Sequence, residues 1–436
     1  MQANRRTLLG LALLGGAARV MGAPVRQARA VPALDAELAA IVKAPACELA
    51  SLSVLAIRHG KVSYHRQFGQ RYLGNASLPP QPANAETLYR IASISKMMTT
   101  LGALMLVEAG KLSLDADAST WLGFPLRNPA FPDKLITLRH LLSHTSTLRD
   151  DAGYSWPCAT SIKSILAGGD PKVWSDKAAP GAYFTYANLG WGVIGTIMEN
   201  AAGERFDRLM RRLLLDPLGI PGGYNPSEFP PVVLANLATL YRKRTTDTEI
   251  WNQAGPWIPQ VDDAALRPPK PPAGIEQYVI GTNATPFSPT GGLRISAAGM
   301  GKIMLMLMNG GRHEGKQLLK PATLARMRTP HWTDKGSNGD NLGGLFYAWG
   351  LGTQLFPDRA GSHLVEGGGF SGLGHLGEAY GLMSTFAFDP VNKNGMIVLV
   401  GGVSSDPAAY KAHGSSLARF EEQILTALYR RAIQQG

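Results

Sequence analysis

Apolar positions recur at helical spacing across residues 31–43, through Leu34, Leu38, Ile41 and Val42, and predict a helix there. Residues 49–57 and 61–68 read as two strands, with the turn signal His59-Gly60 between them. Near the other end, residues 384–389 and 395–401 repeat the strand pattern around Asn392-Lys393-Asn394-Gly395. Residues 415–434 then return to helical spacing, apolar at Leu417, Phe420, Ile424, Leu425 and Leu428. Helix–strand–strand thus opens the chain and strand–strand–helix closes it. The simplest assembly joins both ends in one antiparallel sheet with those helices packed on it.

The middle has a different pattern. Helical signals cover 91–110, 137–143, 189–202 and 206–215, punctuated by Pro180-Gly181 and Pro217. Residues 221–289 are rich in proline and glycine and read as a long decorated connection that shapes the mouth of a site. A helix over 300–308 follows the Gly291-Gly292 turn; its methionines read as core filling.

Composition sharpens this picture at the N-terminus. Arg5 and Arg6 precede the apolar run from Leu8 to Leu14, and small-residue cleavage sites end at Ala23 or Ala30. Residues 1–30 therefore read as a secretory signal of the twin-arginine type, which predicts an exported, periplasmic protein. The run is shorter than the roughly 20 residues of a membrane span, and no later stretch is long and apolar enough for one. Those 30 residues hold five arginines and no acidic residue, so the remainder carries +6 rather than the formal +11. That excess is spread along the chain, and no basic block points to nucleic acid. Cys47 and Cys158 permit one disulfide in an exported protein, and read equally well as small buried hydrophobes. No histidine cluster completes a metal site around them, and Asp115, Asp117, Asp262 and Asp263 read as solvated loop or cap residues. No nucleotide-binding motif is present, so no cofactor is expected.

The candidate chemistry begins at Ser93-Ile94-Ser95-Lys96, where a strand gives way to a long apolar helix. A serine in the first turn places its hydroxyl near free N–H groups and the positive end of the helix dipole. Lys96, three residues on, lies on the same face, and burial lowers a lysine pKa until it can accept a proton. The same four residues occur by chance in many chains, with Ser93 then a simple helix cap. Ser95 competes as nucleophile but faces away from Lys96. Downstream, Tyr186-Ala187-Asn188 stands at a loop-to-helix junction. Tyr186 suits a phenolate or proton shuttle if a nearby ammonium lowers its pKa. Asn188 suits a donor to a substrate carbonyl that also touches Lys96. A core aromatic and a capping asparagine are the plainer readings, and Tyr183 is a decoy. Gly374-His375-Leu376-Gly377-Glu378 reads as a glycine-rich strand edge that admits a substrate backbone. There the Glu378 N–H is a second oxyanion donor beside that of Ser93, and His375 faces the pocket. A turn with a structural histidine is the alternative.

In this order the elements resemble the penicillin-recognising serine hydrolases. The likeness is to the class C β-lactamase-like branch, with its family VIII carboxylesterases, D-aminopeptidases and DD-carboxypeptidases. Residues 136–146, Thr290-Gly291-Gly292-Leu293 and Met308-Asn309-Gly310-Gly311 extend the match. The resemblance implies an α/β (α+β) fold of the β-lactamase/transpeptidase type, an antiparallel sheet flanked by N- and C-terminal helices. It places the first part of that domain at 31–110, an inserted mainly helical domain with its long connection at 111–289, and the second part at 290–436. Ser93, Lys96 and Tyr186 would be catalytic, Asn188, His375, Gly377 and Glu378 would meet substrate, and His140 and His144 would be structural. Three departures stand out. His375-Leu376-Gly377 replaces the Lys-Thr-Gly of many β-lactamases, and a histidine is only partly charged near neutral pH. Thr147 stands where glycine is frequent, and Glu378 where a small residue is more usual. The expected activity is hydrolysis of a small ester or amide through an acyl-enzyme on Ser93, by a carboxylesterase or D-residue peptidase acting on small-molecule or peptidoglycan-type substrates. A class C-like β-lactamase and a catalytically silent penicillin-binding sensor are the alternatives. No sequence feature sets an oligomeric state.

Overall fold

The computed structural model describes residues 31–246, 248 and 250–435. The signal expected in residues 1–30 lies outside the described residues. Helix α1 spans Pro32–Val42, and strands β1 and β2 follow at Ser51–Arg58 and Lys61–Tyr72. His59 and Gly60 both take left-handed backbone angles (φ 48° and 74°), the twist that a two-residue hairpin turn requires. At the other end lie β3 (Gly372–Ala379), β4 (Leu382–Asp389) and β5 (Asn394–Val400). β5 pairs antiparallel with β1, Leu52 opposite Val400 and Ala56 opposite Met396. The two ends of the chain thus share one sheet. Its nine antiparallel strands run in the order Trp332–Thr333, Ala348–Trp349, Gln354–Phe356, β3, β4, β5, β1, β2, Gln81–Pro82.

Both faces of the central strands are covered, which explains their nearly unbroken apolar runs. Side chains alternate across a strand. Leu52, Val54 and Ala56 of β1, with Met396, Val398 and Val400 of β5, meet Leu34 and Leu38 of α1. Ile424, Leu425 and Leu428 of the C-terminal helix, Arg419–Leu428, close that layer. Leu55, Ile57, Ile397 and Leu399 point the other way. They enter a larger core with three helices: α2 (Ile94–Glu108), α3 (Leu189–Ala202) and α4 (Ala297–Met308). The C-terminal helix is numbered α5. Met300, Met304, Met306 and Met308 are all buried, as core filling requires.

Several boundaries differ from the pattern. The closing hairpin turns earlier than expected: Asn394 and Gly395 already pair with Asp389 and Phe388. The Asp389 carboxylate organises the turn by accepting from the N–H groups of Val391 and Asn392. α2 starts at Ile94 rather than at 91. Ile91 N–H still donates to Leu293 O, and Ala92 then takes a left-handed φ of 47°. α5 starts at Arg419, where Glu421 accepts from the Ala418 N–H and sets the first turn. The 221–289 connection is more ordered than a loop. Leu240–Lys243 and Trp257–Val261 form a small sheet with Gly402–Val403. Cys47 and Cys158 are free and buried, so they take the hydrophobic reading. Asp262 is not a solvated loop residue: it forms a buried pair with Arg294 at 2.8 Å. No helix among the described residues is long and apolar enough to cross a membrane.

The α4–β1 contact is tight, since a Cβ added at Gly301 would lie 3.0 Å from Leu55 Cδ1. Leu55→Ala is expected to lower the unfolding free energy by about 2–5 kcal/mol, read from the urea midpoint. A loss below about 0.5 kcal/mol would contradict this packing.

Candidate active site

Ser93 is the residue from which α2 begins. The backbone leaves strand Tyr89–Arg90, kinks at Ala92 and enters the helix, so the hydroxyl stands at the helix N-terminus. Lys96 returns to it within one turn, its Nζ 2.9 Å from Ser93 Oγ. The same nitrogen is 2.7 Å from Asn188 Oδ1 and 3.2 Å from Thr290 O. These three oxygens match the three donors of an ammonium. Lys96 is completely buried. Burial pulls its pKa down to about 7, against the opposing pull of the Asp150 carboxylate. An amine poised near neutrality, beside a hydroxyl, is what a general base needs.

Tyr186 is the third group at this point. Its ring centroid lies 4.9 Å from Lys96 Nζ, and its hydroxyl interacts with that of Ser93. The expected lowering of its pKa is not found. Burial pushes the phenol well above its usual range, so Tyr186 rests as a neutral phenol rather than a phenolate. His144 stacks on its ring at 4.4 Å and Phe346 at 5.2 Å. His144 Nδ1 accepts from the Ala187 N–H at 3.0 Å, and burial keeps its imidazole neutral. His140 caps a short helix through Nδ1 and the Thr137 N–H, 3.4 Å apart. Both histidines have structural contacts.

Asn188 is fixed from both ends. Its Oδ1 accepts from Lys96 and from Thr290 Oγ1, while its Nδ2 donates to Asp150 Oδ2 at 2.9 Å. One amide hydrogen is thereby committed and the other is left for a ligand. Asp150, not Asn188, caps α3: its two oxygens accept from the N–H groups of Asn188 and Leu189 at 2.8 and 2.9 Å. The sequence reading missed Asp150. Its signal was a carboxylate shortly after the His144-Thr145-Ser146 stretch, which becomes legible only once that loop folds against Asn188. Thr147 takes a left-handed φ of 71°, which accounts for the glycine expected there. Asn128 Nδ2 donates to its hydroxyl at 2.8 Å.

Competing residues fall away from this point. Ser95 is buried and accepts from the Leu293 N–H at 3.1 Å. Tyr183 donates to Asp340 at 2.7 Å, away from Lys96.

The far wall is β3. Only Gly372–Gly374 of this strand pair with Gln354–Phe356, so from His375 onward one edge is open. Gly377 presses on the nucleophile loop; a Cβ there would lie 2.6 Å from Ile91 O and 3.3 Å from Ser93 N. No side chain larger than hydrogen fits between them. The Ser93 N–H makes no hydrogen bond among the described residues and is free to meet a substrate oxygen. His375 is in the cleft lining, as expected, but is not the partly charged group that a histidine suggests. It is buried against Trp349, with ring centroids 5.2 Å apart, and Nε2 lacks a partner. Burial and the neighbouring Lys96 push its pKa down to about 3, so it presents no charge near neutral pH. Glu378 is solvent-exposed at the cleft wall, where the surrounding protein and Asp406 raise its pKa. The cleft over Ser93 measures about 1500 Å³, with Tyr186, Asn188, Gly377 and the 285–291 segment in its wall. No group of three metal-ligating side chains occurs among the described residues.

A family model described as Beta-lactamase matches residues 34–418. The chain belongs to the β-lactamase family. Members of this family are serine hydrolases, and the expected resemblance and mixed α/β fold are both borne out. This β-lactamase-family chain is 32% identical to Esterase EstB of Burkholderia gladioli over 37% of its own length and 44% of that protein. It is 28% identical to Penicillin-binding protein 4* of Bacillus subtilis over 38% of itself and 36% of that protein. The matched stretch therefore spans under half of each of these relatives. Among solved structures, D-amino acid amidase from Ochrobactrum anthropi SV3 aligns with TM-score 0.63 and 18% identity, covering 91% of this chain and 97% of that one. That likeness shows the shared fold.

Two outcomes follow from the buried amine. Lys96 binds its proton less tightly folded (about 7) than unfolded (10.5), so the unfolded chain holds more protons between those values. Wild-type stability relative to Lys96→Met is expected to rise with pH through that window and to be lowest near and below pH 7. Urea titrations at pH 7 and 10 check this, and an equal gap at both would contradict it. Asp150→Asn removes the charge that supports the ammonium. The pH midpoint for fluorophosphonate labelling of Ser93 is expected to fall below that of wild type, and an upward shift would contradict the assigned geometry.

Proposed function

We propose that this protein cleaves a small ester or amide by acyl transfer through Ser93. The observation that carries the reading is the 2.9 Å contact between Ser93 Oγ and a fully buried Lys96 amine whose pKa lies near 7. Ser93 Oγ attacks the carbonyl carbon as Lys96 takes its proton. The carbonyl oxygen gathers charge against the Ser93 N–H and the open edge of β3 at Glu378. The neutral phenol of Tyr186, between amine and cleft, relays a proton to the leaving alcohol or amine as the carbonyl–leaving-group bond breaks. Water then attacks the acyl-enzyme, its proton returns through the same groups, and Ser93 regains its hydroxyl. Asn188 holds the amine with Oδ1 and offers its remaining N–H to the substrate.

Within this chemistry we favour a carboxylesterase or D-residue peptidase over a β-lactamase. A neutral, buried His375 supports this choice, because no ammonium stands where many β-lactamases hold the substrate carboxylate. The similarity to an esterase and the fold shared with a D-amino acid amidase point the same way. The charged start and short apolar run of residues 1–30 support export to the periplasm.

Incubation with a fluorophosphonate is expected to add one adduct to the wild-type mass and none to Ser93→Ala. Lys96→Ala is expected to reduce kcat by about a thousandfold or more, and Tyr186→Phe by about a hundredfold or more. A panel of p-nitrophenyl esters, D-Ala-p-nitroanilide, a D-Ala-D-Ala peptide and nitrocefin is expected to favour esters or D-residue amides over nitrocefin. Equal labelling of Ser93→Ala would overturn the nucleophile, and nitrocefin as the best substrate would overturn the preference.

A further inference from the structure

Arg90 ends the short strand that leads into Ser93, three residues before the hydroxyl. Its Nε donates to Gly291 O at 3.0 Å and its Nη2 to Ser288 Oγ at 3.4 Å. Lys96 donates to the adjacent carbonyl, Thr290 O. The guanidinium and the proposed base therefore grip neighbouring carbonyls of one turn. This brings Arg90 into the same cleft wall as Ser93. Its Cζ lies 5.0 Å from the ring centroid of Tyr380, at the tip of the β3–β4 hairpin, and Tyr154 is near enough to feel its charge. Both tyrosines are exposed.

No carboxylate lies within 4.0 Å of Arg90 among the described residues, whereas Arg294 in the same wall is held by both oxygens of Asp262. With Nε and one Nη2 hydrogen committed to the 288–291 turn, the Nη1 hydrogens and the second Nη2 hydrogen remain, and the end of a planar guanidinium fits a carboxylate. The cleft as a whole leans the same way. Its lining carries six lysine and arginine side chains, of which Arg294 is already balanced by Asp262, against three carboxylates, and burial lifts one of those, Glu421, to about 7. Such a lining concentrates anions. The charge that many relatives place on β3 is absent here, because His375 is neutral and a leucine follows it.

We propose that Arg90, flanked by Tyr154 and Tyr380, is the anchor for a carboxylate carried by the substrate. This rests on the acyl-transfer reading and adds the substrate class: an ester or amide with a free carboxylate, bound at the Tyr380 end of the β3 edge rather than at His375.

The test uses the full chain with two matched pairs of probes. p-Nitrophenyl hemiglutarate and its methyl ester differ by a carboxylate on the acyl side. 4-Acetoxybenzoate and its methyl ester differ by one on the leaving-group side. Wild type is expected to favour the carboxylate form of at least one pair by about tenfold or more in kcat/KM, mainly through KM. The favoured pair identifies which side of the substrate carries the anion. Arg90→Met is expected to abolish the preference and Arg90→Lys to keep part of it, each read as the ratio of kcat/KM within a pair, so that a general loss of activity does not enter the comparison. Glutarate, and not glutaramide, is expected to slow fluorophosphonate labelling of Ser93 in wild type and to lose this effect in Arg90→Met. No preference in either pair, or one unchanged in Arg90→Met, overturns the anchor. If Ser93 is not labelled in wild type the acyl-transfer reading fails by itself. Calorimetric titration with glutarate then decides the anchor, since heat that persists in Arg90→Met, or none in wild type, excludes it.

Discussion

A single amine withheld from water organises this molecule. Lys96 is enclosed without an ion-pair partner among the described residues, and three neutral oxygens stand in for its hydration shell. In that setting the charged and uncharged forms come close in free energy, and the group that is inert on a protein surface becomes able to exchange a proton with Ser93. Each of those oxygens must be held in place, and much of the surrounding structure does so. Asp150 fixes the Asn188 amide, the 288–291 turn presents Thr290 O, and Trp191 Nε1 donates to Lys96 O at 2.9 Å to lock the first turn of α2 onto α3.

This arrangement draws on three distant stretches of chain. The nucleophile helix follows the opening hairpin, Asp150 and Asn188 come from the helical middle, and Gly377 arrives on β3 from the C-terminal part. They meet because β5 closes on β1, which carries β4 and β3 to the nucleophile loop. Gly377 then determines how near that wall can approach, and the absence of its side chain keeps the open strand edge beside Ser93.

The resting site carries little charge. The phenol of Tyr186 and the imidazoles of His144 and His375 are all held neutral by burial, within a box that includes Trp349 and Phe346. Formal charge lies instead along the cleft, mostly on arginine and lysine. A site divided in this way separates proton transfer, which benefits from exclusion of water, from substrate capture, which benefits from a long-range field.

The chain alone determined the features that depend on local spacing. Residues 93 and 96 share a helix face by helical geometry, the two terminal hairpins are visible as alternating runs, and Gly377 is marked by its glycine-rich strand. The same local reading placed the closing turn a little late and took 221–289 as loop. A turn anchored by the Asp389 side chain, and short strands that pair with each other and with the distant Gly402–Val403, leave weak periodic signals. Tertiary structure alone decided the protonation states, since burial raises the Tyr186 pKa and lowers that of His375 whatever residues flank them. It also revealed Asp150 as the group that orients Asn188, and left Arg90 without a carboxylate within 4.0 Å among the described residues. These properties arise from desolvation and from contacts between residues far apart in the chain, and neither quantity is encoded in the spacing of neighbours along it.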